Sequence, residues 1–269
     1  MEVHRLAVAG REPAIARDVG NRVARVWLRR SRFADVAALA NATLPLGPDA
    51  GAFYDLGWAQ SSTGKLRQAL ESFERALHLY REVGNRGNEA ATLNGIGRVH
   101  DHLGDRQQAL TYYQQALPIQ RMVGNRAGEA TTLSNIGTAF DSLGDRQQAL
   151  TYCQQALPIL REVGDRASEA ITLSNVGRVY DDLGDRQRAM THYQQALSIA
   201  REVGDRAGEA ATRYNIAMIY RTEGNLDRAI GELELVVNLD RQVGHPDLAS
   251  DTAMLEQVSQ ERARAREAT

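Results

Sequence analysis

Residues 105–144 read DRQQALTYYQQALPIQRMVGNRAGEATTLSNIGTAFDSLG, and residues 145–184 read DRQQALTYCQQALPILREVGDRASEAITLSNVGRVYDDLG. Aligned without gaps, 29 of the 40 positions are identical. A repeat of this length is one small supersecondary unit that cannot bury its apolar face alone, so copies stack on copies. The pattern predicts a solenoid.

Glycine marks the period outward in both directions. One series is Gly64, Gly104, Gly144, Gly184 and Gly224; a second is Gly84, Gly124, Gly164, Gly204 and Gly244. Each falls where an apolar pattern of helical spacing stops, and each suits the left-handed residue just past a helix end. Asp or Asn usually follows, as at Asp145, Asp165 and Asn85, ready to cap the next helix. Every twenty residues one helix stops and another starts. With helix A after the second series and helix B after the first, units read 49–84, 86–124, 126–164, 166–204 and 206–244. Ala130, Leu133, Ile136, Gly137, Phe140 and Leu143 make one apolar face of a helix A; Ala149, Leu150, Cys153, Ala156, Leu157 and Leu160 make one face of a helix B.

Small residues recur at Gly57, Gly97, Gly137, Gly177 and Ala217 in mid-helix A. Glycine there costs about 1 kcal/mol against alanine, so its return predicts close approach of a neighbouring helix.

The spacing of Leu133, Ile136–Gly137, Phe140, Ala149, Cys153 and Ala156, repeated from 49 to 244, resembles the tetratricopeptide repeat. The forty-residue length is similar to that of kinesin light chains, Pins-type adaptors and C-terminal arrays of bacterial signal-transduction ATPases. The resemblance implies an all-α, right-handed superhelical solenoid of antiparallel helix pairs. Pro118 and Pro158 depart from the family pattern, falling inside helix B, where a lost amide and ring clash predict a bend.

The flanks fit less well. Residues 1–48 read as a degenerate helical pair, Ala14–Arg30 and Phe33–Leu44, followed by a linker with Pro45 and Pro48. Seven arginines crowd 11–32, either a solvated cap face or a docking surface for an upstream domain or acidic partner. Residues 245–269 read as a capping helix over Asp247–Val258 and a frayed polar tail.

Bulk properties narrow the function. The net charge of −2 gives no global field favouring nucleic acid or membrane. No charged-then-apolar leader opens the chain and no apolar run approaches a bilayer span, so a cytoplasmic protein is expected. Cys153 is the single cysteine, aligned with Phe73, Tyr113, Tyr193 and Leu233, and reads as a buried thiol in an aromatic slot. Nothing fits a phosphate-binding GxxxxGK[ST] loop. GIGRVH at 95–100 lacks a third glycine and a preceding strand. His100 and His102 point apart on a helix, and His100 occupies a packing slot. Glu89, Glu129, Glu169 and Glu209 return in the first turn of helix A, and Arg81, Arg121, Arg161, Arg201 and Arg241 in the last turn of helix B, as helix dipoles favour. No catalysis, cofactor or metal is expected.

In the family that the spacing resembles, helix A lines the concave wall and ligands lie along it. That implication selects ladders of residues beside the core face. One is Asp55, Gly95, Asn135, Asn175 and Asn215; its neighbour holds Tyr54, Asn94, Ser134, Ser174 and Tyr214. A turn later come Trp58, Arg98, Thr138, Arg178 and Met218, then Ser61, Asp101, Asp141, Asp181 and Arg221. Amides at one register pair with a peptide backbone or brace adjacent helices, and both readings stand. Arg98 and Arg178 suit carboxylates; Asp101, Asp141 and Asp181 suit basic groups; Tyr214 and Met218 offer apolar anchors. The expectation is a scaffold holding a peptide or helical segment of a partner protein in its groove. The alternative is the sensor arm of a larger signalling ATPase or transcription regulator. Self-association through the near-identical units is a further expectation.

Overall fold

The computed structural model describes residues 1–28 and 30–267, which form fourteen α-helices and no strand. They fall into two compact units, residues 1–143 and 144–269.

The first unit holds α1 (Glu2–Ala9), α2 (Pro13–Leu28), α3 (Phe33–Thr43), a 3-10 turn (Leu44–Leu46), α4 (Ala50–Ser62), α5 (Leu66–Glu82), α6 (Arg86–His102), α7 (Arg106–Met122) and α8 (Arg126–Ser142). The second holds α9 (Arg146–Val163), α10 (Arg166–Asp182), α11 (Arg186–Val203), α12 (Arg206–Thr222), α13 (Leu226–Val243) and α14 (Leu248–Glu267). Within each unit consecutive helices pack as antiparallel pairs.

One dipeptide stops each helix and starts the next. Gly84 has φ +66°, and all ten periodic glycines share this left-handed conformation. Asn85 N–H donates to Tyr80 O at 2.9 Å and Gly84 N–H to Arg81 O at 3.1 Å. That pair of bonds satisfies carbonyls the helix leaves open. The Asn85 side chain then accepts from Asn88 N–H and caps α6. Asp145, Asp165, Asp185, Asp205, Asn125 and Asn225 cap in the same way. Asp105 makes no such bond; its carboxylate lies 3.5 Å from His100 Nδ1.

Between paired helices an aromatic ring fills the space a glycine leaves. A Cβ built on Gly57 would lie 2.8 Å from the Phe73 ring, on Gly97 2.6 Å from Tyr113, and on Gly177 2.8 Å from Tyr193. These rings are at most 1% exposed. Where the glycine becomes Ala217, the ring becomes Leu233, and both are fully buried in one cluster. Cys153, in the same slot, is buried and forms no disulfide. His100 stacks on Tyr112 with centroids 5.3 Å apart. Pro118 and Pro158 lie inside α7 and α9, which run on past them to Met122 and Val163.

The N-terminal region holds one helix more than the pair expected from sequence. α1 packs on α2, and His4, 3% exposed, places Nε2 2.9 Å from Thr43 Oγ1 on α3. Burial holds the His4 imidazole below its ordinary pKa, so it packs as a neutral ring. Ala24 of α2, Val36 and Leu39 of α3 and Ala59 of α4 close a small core, with Trp27 and Phe33 packed against it. At the other end α14 runs to Glu267, nine residues beyond the expected Val258. Arg221 bridges to Glu261, and Arg262 and Arg266 reach Asp227, so the stretch that reads as frayed is helix tied down by charge.

Candidate functional site

The glutamates that open each helix A turn out to be buried. Glu89, Glu129 and Glu169 are 3%, 6% and 2% exposed. Each is gripped by the arginine closing the preceding helix B and by the arginine one turn before it. Arg81 Nε is 3.0 Å from Glu89, Arg121 Nε 2.9 Å from Glu129 and Arg161 Nε 2.7 Å from Glu169. Arg86, Arg126 and Arg166 take the second oxygen. Burial alone would raise the Glu129 pKa, but the two guanidiniums outweigh it and hold the carboxyl below its usual value. In the last full pair Arg213 joins Arg201 on Glu209 and also reaches Glu232. These charges hold hairpins together and are spent on the fold.

The clefts lie elsewhere, and they recur at the repeat period. In the second unit a cleft of about 220 Å³ between α10 and α12 is lined by Ile171, Ser174, Asn175, Ala200, Ala211 and Asn215. Forty residues on, a cleft of about 440 Å³ is lined by Ala211, Tyr214, Asn215, Asp240, His245 and Asp251. The lining positions 170, 171, 174, 175, 200 and 205 of the first are 210, 211, 214, 215, 240 and 245 of the second. Ala211 and Asn215 border both. In the first unit the equivalent positions Ala50, Gly51, Tyr54, Asp55, Tyr80 and Asn85 line a cleft of about 510 Å³, closed on its other side by Asn21 and Arg25 of α2.

A single helix-B position lines all three clefts, as Tyr80, Ala200 and Asp240, and it changes residue type from repeat to repeat. It carries Tyr80, Gln120, Leu160, Ala200 and Asp240 along the chain. Ala200 leaves a floor of small apolar surface. Gln120 is 1% exposed, and its Oε1 lies 2.5 Å from where a Cβ on Gly128 would stand. The amide therefore occupies the space that is open at Ala200. Sequence reasoning passed over this position because it belongs to helix B. Its signal was the change of residue type beside the constant arginine at 81, 121, 161, 201 and 241.

The residues selected from sequence fall into three groups. Asn175, Asn215 and Tyr214 come together along the two clefts of the second unit, and Met218 packs with Tyr214 on the cluster that α14 closes. Arg178 and Asp181 sit half-buried on α10. Burial raises the Asp181 pKa, Arg186 opposes it and Asp182 adds to it. In the first unit Asn94 donates from Nδ2 to Thr132 Oγ1 at 2.7 Å, a brace between α6 and α8. Arg98 lies over the Trp58 ring, 3.6 Å from its centroid, and its Nε has no hydrogen-bond partner. Asp101 pairs with Arg106 at 2.8 Å. On α8, Asn135 is half-buried and Asp141 is 2% exposed. Asp55, from the asparagine register, is 7% exposed; burial pushes its pKa up to about 7, against the pull of Arg25 and with the push of Asp49.

Of the arginines in 11–32, Arg17 and Arg22 pair with Asp49 and Asp18, and Arg32 lies over Trp27 and bonds Asp35. Arg29 lies outside the described residues. No group of His, Cys, Asp and Glu side chains suited to a metal ion occurs among the described residues. None of their helices is long and apolar enough to cross a membrane.

The family model of the tetratricopeptide repeat matches residues 50–122, 88–162, 128–202 and 169–242, and the chain belongs to that family. No curated protein matches it in sequence. Solved structures show the same fold at low identity. A putative kinesin light chain of Podosopora anserina with nearly identical repeats is 16% identical, over 70% of this chain and 96% of that one, with TM-score 0.55. A Rap protein complexed with competence and sporulation factor is 16% identical over 90% and 74%, with TM-score 0.65. A signal-transduction ATPase of Pyrococcus horikoshii with a tetratricopeptide repeat sensor is 15% identical over 95% of this chain and 41% of that one, with TM-score 0.72.

Proposed function

We propose that the protein is a non-catalytic scaffold that holds an extended segment of a partner protein along its A helices, with the clefts of the second unit as the principal contact. One observation carries this: Asn175 and Asn215 stand one repeat apart on the border of the same cleft, and Asn215 also borders the next. An amide offers a donor and an acceptor, so a row of amides pairs with peptide backbone without selecting side chains. Ile171, 53% exposed at the cleft edge, supplies apolar surface between them. The Asn94 side chain already bonds Thr132, so it contributes to stacking and less to capture.

The test is capture of partners from lysate of the source cells by wild-type protein and by the Asn175→Ala/Asn215→Ala double variant, with helicity checked by circular dichroism. Loss of a specific partner with helicity intact supports the reading; equal capture removes it. Arg98 and Arg178, reversed in charge, form the second arm.

A second reading makes the chain the sensor part of a signalling ATPase. It is favoured by the likeness to the repeat sensor of the Pyrococcus horikoshii protein, of which this chain spans 41%. An adjoining nucleotide-binding domain in the complete gene product decides it.

A further inference from the structure

The cleft between α12 and α14 differs from its equivalents in charge. Its floor is Asp240, 1% exposed, and Asp240 Oδ2 has no hydrogen-bond partner. Asp247 and Asp251 stand on its rim, and no arginine or lysine lines it. The one neighbour the Asp240 carboxyl bonds is Asp251, another acid of the same cleft, and a buried carboxylate without a cationic partner is costly. Asp240 also lies in the last turn of α13, where the helix dipole disfavours negative charge.

The fold does not need this arrangement. At the equivalent place one repeat earlier stands Ala200, and Asp205, in the place of His245, is occupied as the cap of α12. His245 stands at the rim beside Asp247: its Nδ1 lies 3.3 Å from Asp247 N and 3.8 Å from Asp247 Oδ2. Asp251 reports the crowding. Burial first, then the hydrogen-bonded Asp240 carboxyl and Asp247, push its pKa up to about 6, with His245 pulling the other way. Tyr214 forms a wall of the same cleft.

We infer that this cleft receives an arginine side chain of the bound partner segment, its guanidinium meeting Asp240 and Asp251 and its plane lying against Tyr214. A guanidinium is a planar fork that fits carboxylates, stacks on aromatic faces and sheds water more readily than an ammonium. The inference rests on the reading that partner chains lie along these clefts, and it fixes one feature of their sequence.

The probes are the capped pentapeptide Ala-Ser-Arg-Ser-Ala and its analogues with lysine and with citrulline, the uncharged isostere of arginine. They are titrated against the full chain while NMR shifts of Tyr214, Asn215 and His245 are followed. The expected result is saturable shifts with the arginine peptide and none with citrulline. Asp240→Asn and Asp251→Asn each weaken binding at least roughly tenfold. Asp251→Asn sits on the rim and guards against a folding artefact at the buried site. Equal response to arginine and citrulline, or no saturable response, overturns the inference; lysine binding as tightly as arginine overturns the guanidinium assignment. The lysate experiment separates the two levels. Partners lost by the Asn175→Ala/Asn215→Ala variant but kept by Asp240→Asn leave the scaffold reading standing without the arginine pocket. Partners kept by both variants, beside Asp240-dependent peptide binding, remove the scaffold reading alone.

Discussion

Arg121 Nε stands 2.9 Å from Glu129 Oε1, across the turn that joins α7 to α8, while Arg126 holds the other oxygen at 2.6 Å. Removing Arg121 leaves a nearly buried carboxylate with one partner. Arg121 is itself half exposed, so Arg121→Ala is expected to lower stability by about 1–3 kcal/mol, below the cost of breaking a fully buried pair. Because the folded Glu129 pKa lies below the unfolded value of 4.5, its contribution is complete above that value. It is lost as pH falls through the folded pKa. Urea denaturation should show a gap between wild type and variant at pH 7 that narrows at pH 3. A gap of equal size at both assigns the effect to packing of the arginine stem.

Gly97 and Tyr113 form a matched pair, as Ala217 and Leu233 do three repeats further on. Gly97→Ala places a methyl 2.6 Å from the Tyr113 ring. Overpacking of this kind costs about 1–3 kcal/mol even after the better helix propensity of alanine is counted. Adding Tyr113→Leu should recover part of the loss, since that pair is the one the chain uses at 217 and 233. A double-mutant cycle measures the coupling; strictly additive effects show that the ring and the glycine are independent.

The fold was legible because its rules are local. The left-handed glycines, the Asp and Asn caps and the small-to-aromatic pairing all act within forty residues, and each is visible in a single repeat. α1 escaped because nothing repeats it: its burial depends on His4 meeting Thr43 of α3, a contact no periodicity announces. The end of α14 escaped for a related reason, since ERARARE reads as solvated charge until Asp227 and Arg221 are placed beside it. Of the residues lining the clefts, the sequence pattern picked out the helix-A side, with Asn175, Asn215 and Tyr214. It missed the helix-B floor. It also left Arg98 and Asp101 unpaired, because stacking on Trp58 and pairing with Arg106 join residues from different elements.

Asp55 carries a stability signature opposite in sign to that of Glu129. Its folded pKa is raised from 3.8 to about 7, burial being the main cause. Keeping the proton is favoured in the folded state, so the associated stability is full below pH 3.8. It is lost as pH rises towards 7. Asp55→Asn keeps the shape and removes the ionisation, and should gain about 1–3 kcal/mol relative to wild type at pH 8, with no gain at pH 4. Thermal denaturation across that range is the check. An Asp55→Asn chain less stable at pH 8 means that Arg25 pairs with the carboxylate strongly enough to reverse the effect.

Arg98 lies 3.6 Å above the centre of Trp58, and the ring itself packs edge-on to Phe73 with centroids 6.3 Å apart. Burial lowers the Arg98 pKa, yet guanidinium remains charged throughout the working range. A desolvated cation over an indole contributes about 1–2 kcal/mol. Arg98→Ala should therefore lower stability by about that amount and expose one face of Trp58 to water. Tryptophan emission then moves to longer wavelength, with Trp27 as the unchanged background. Arg98→Lys should recover the charge but not the stacked plane, giving partial rescue of stability and little rescue of the emission. Full rescue by lysine would mean that charge alone holds the contact. An unchanged spectrum in Arg98→Ala would mean that the guanidinium does not cover the ring in solution and is available to a ligand's carboxylate.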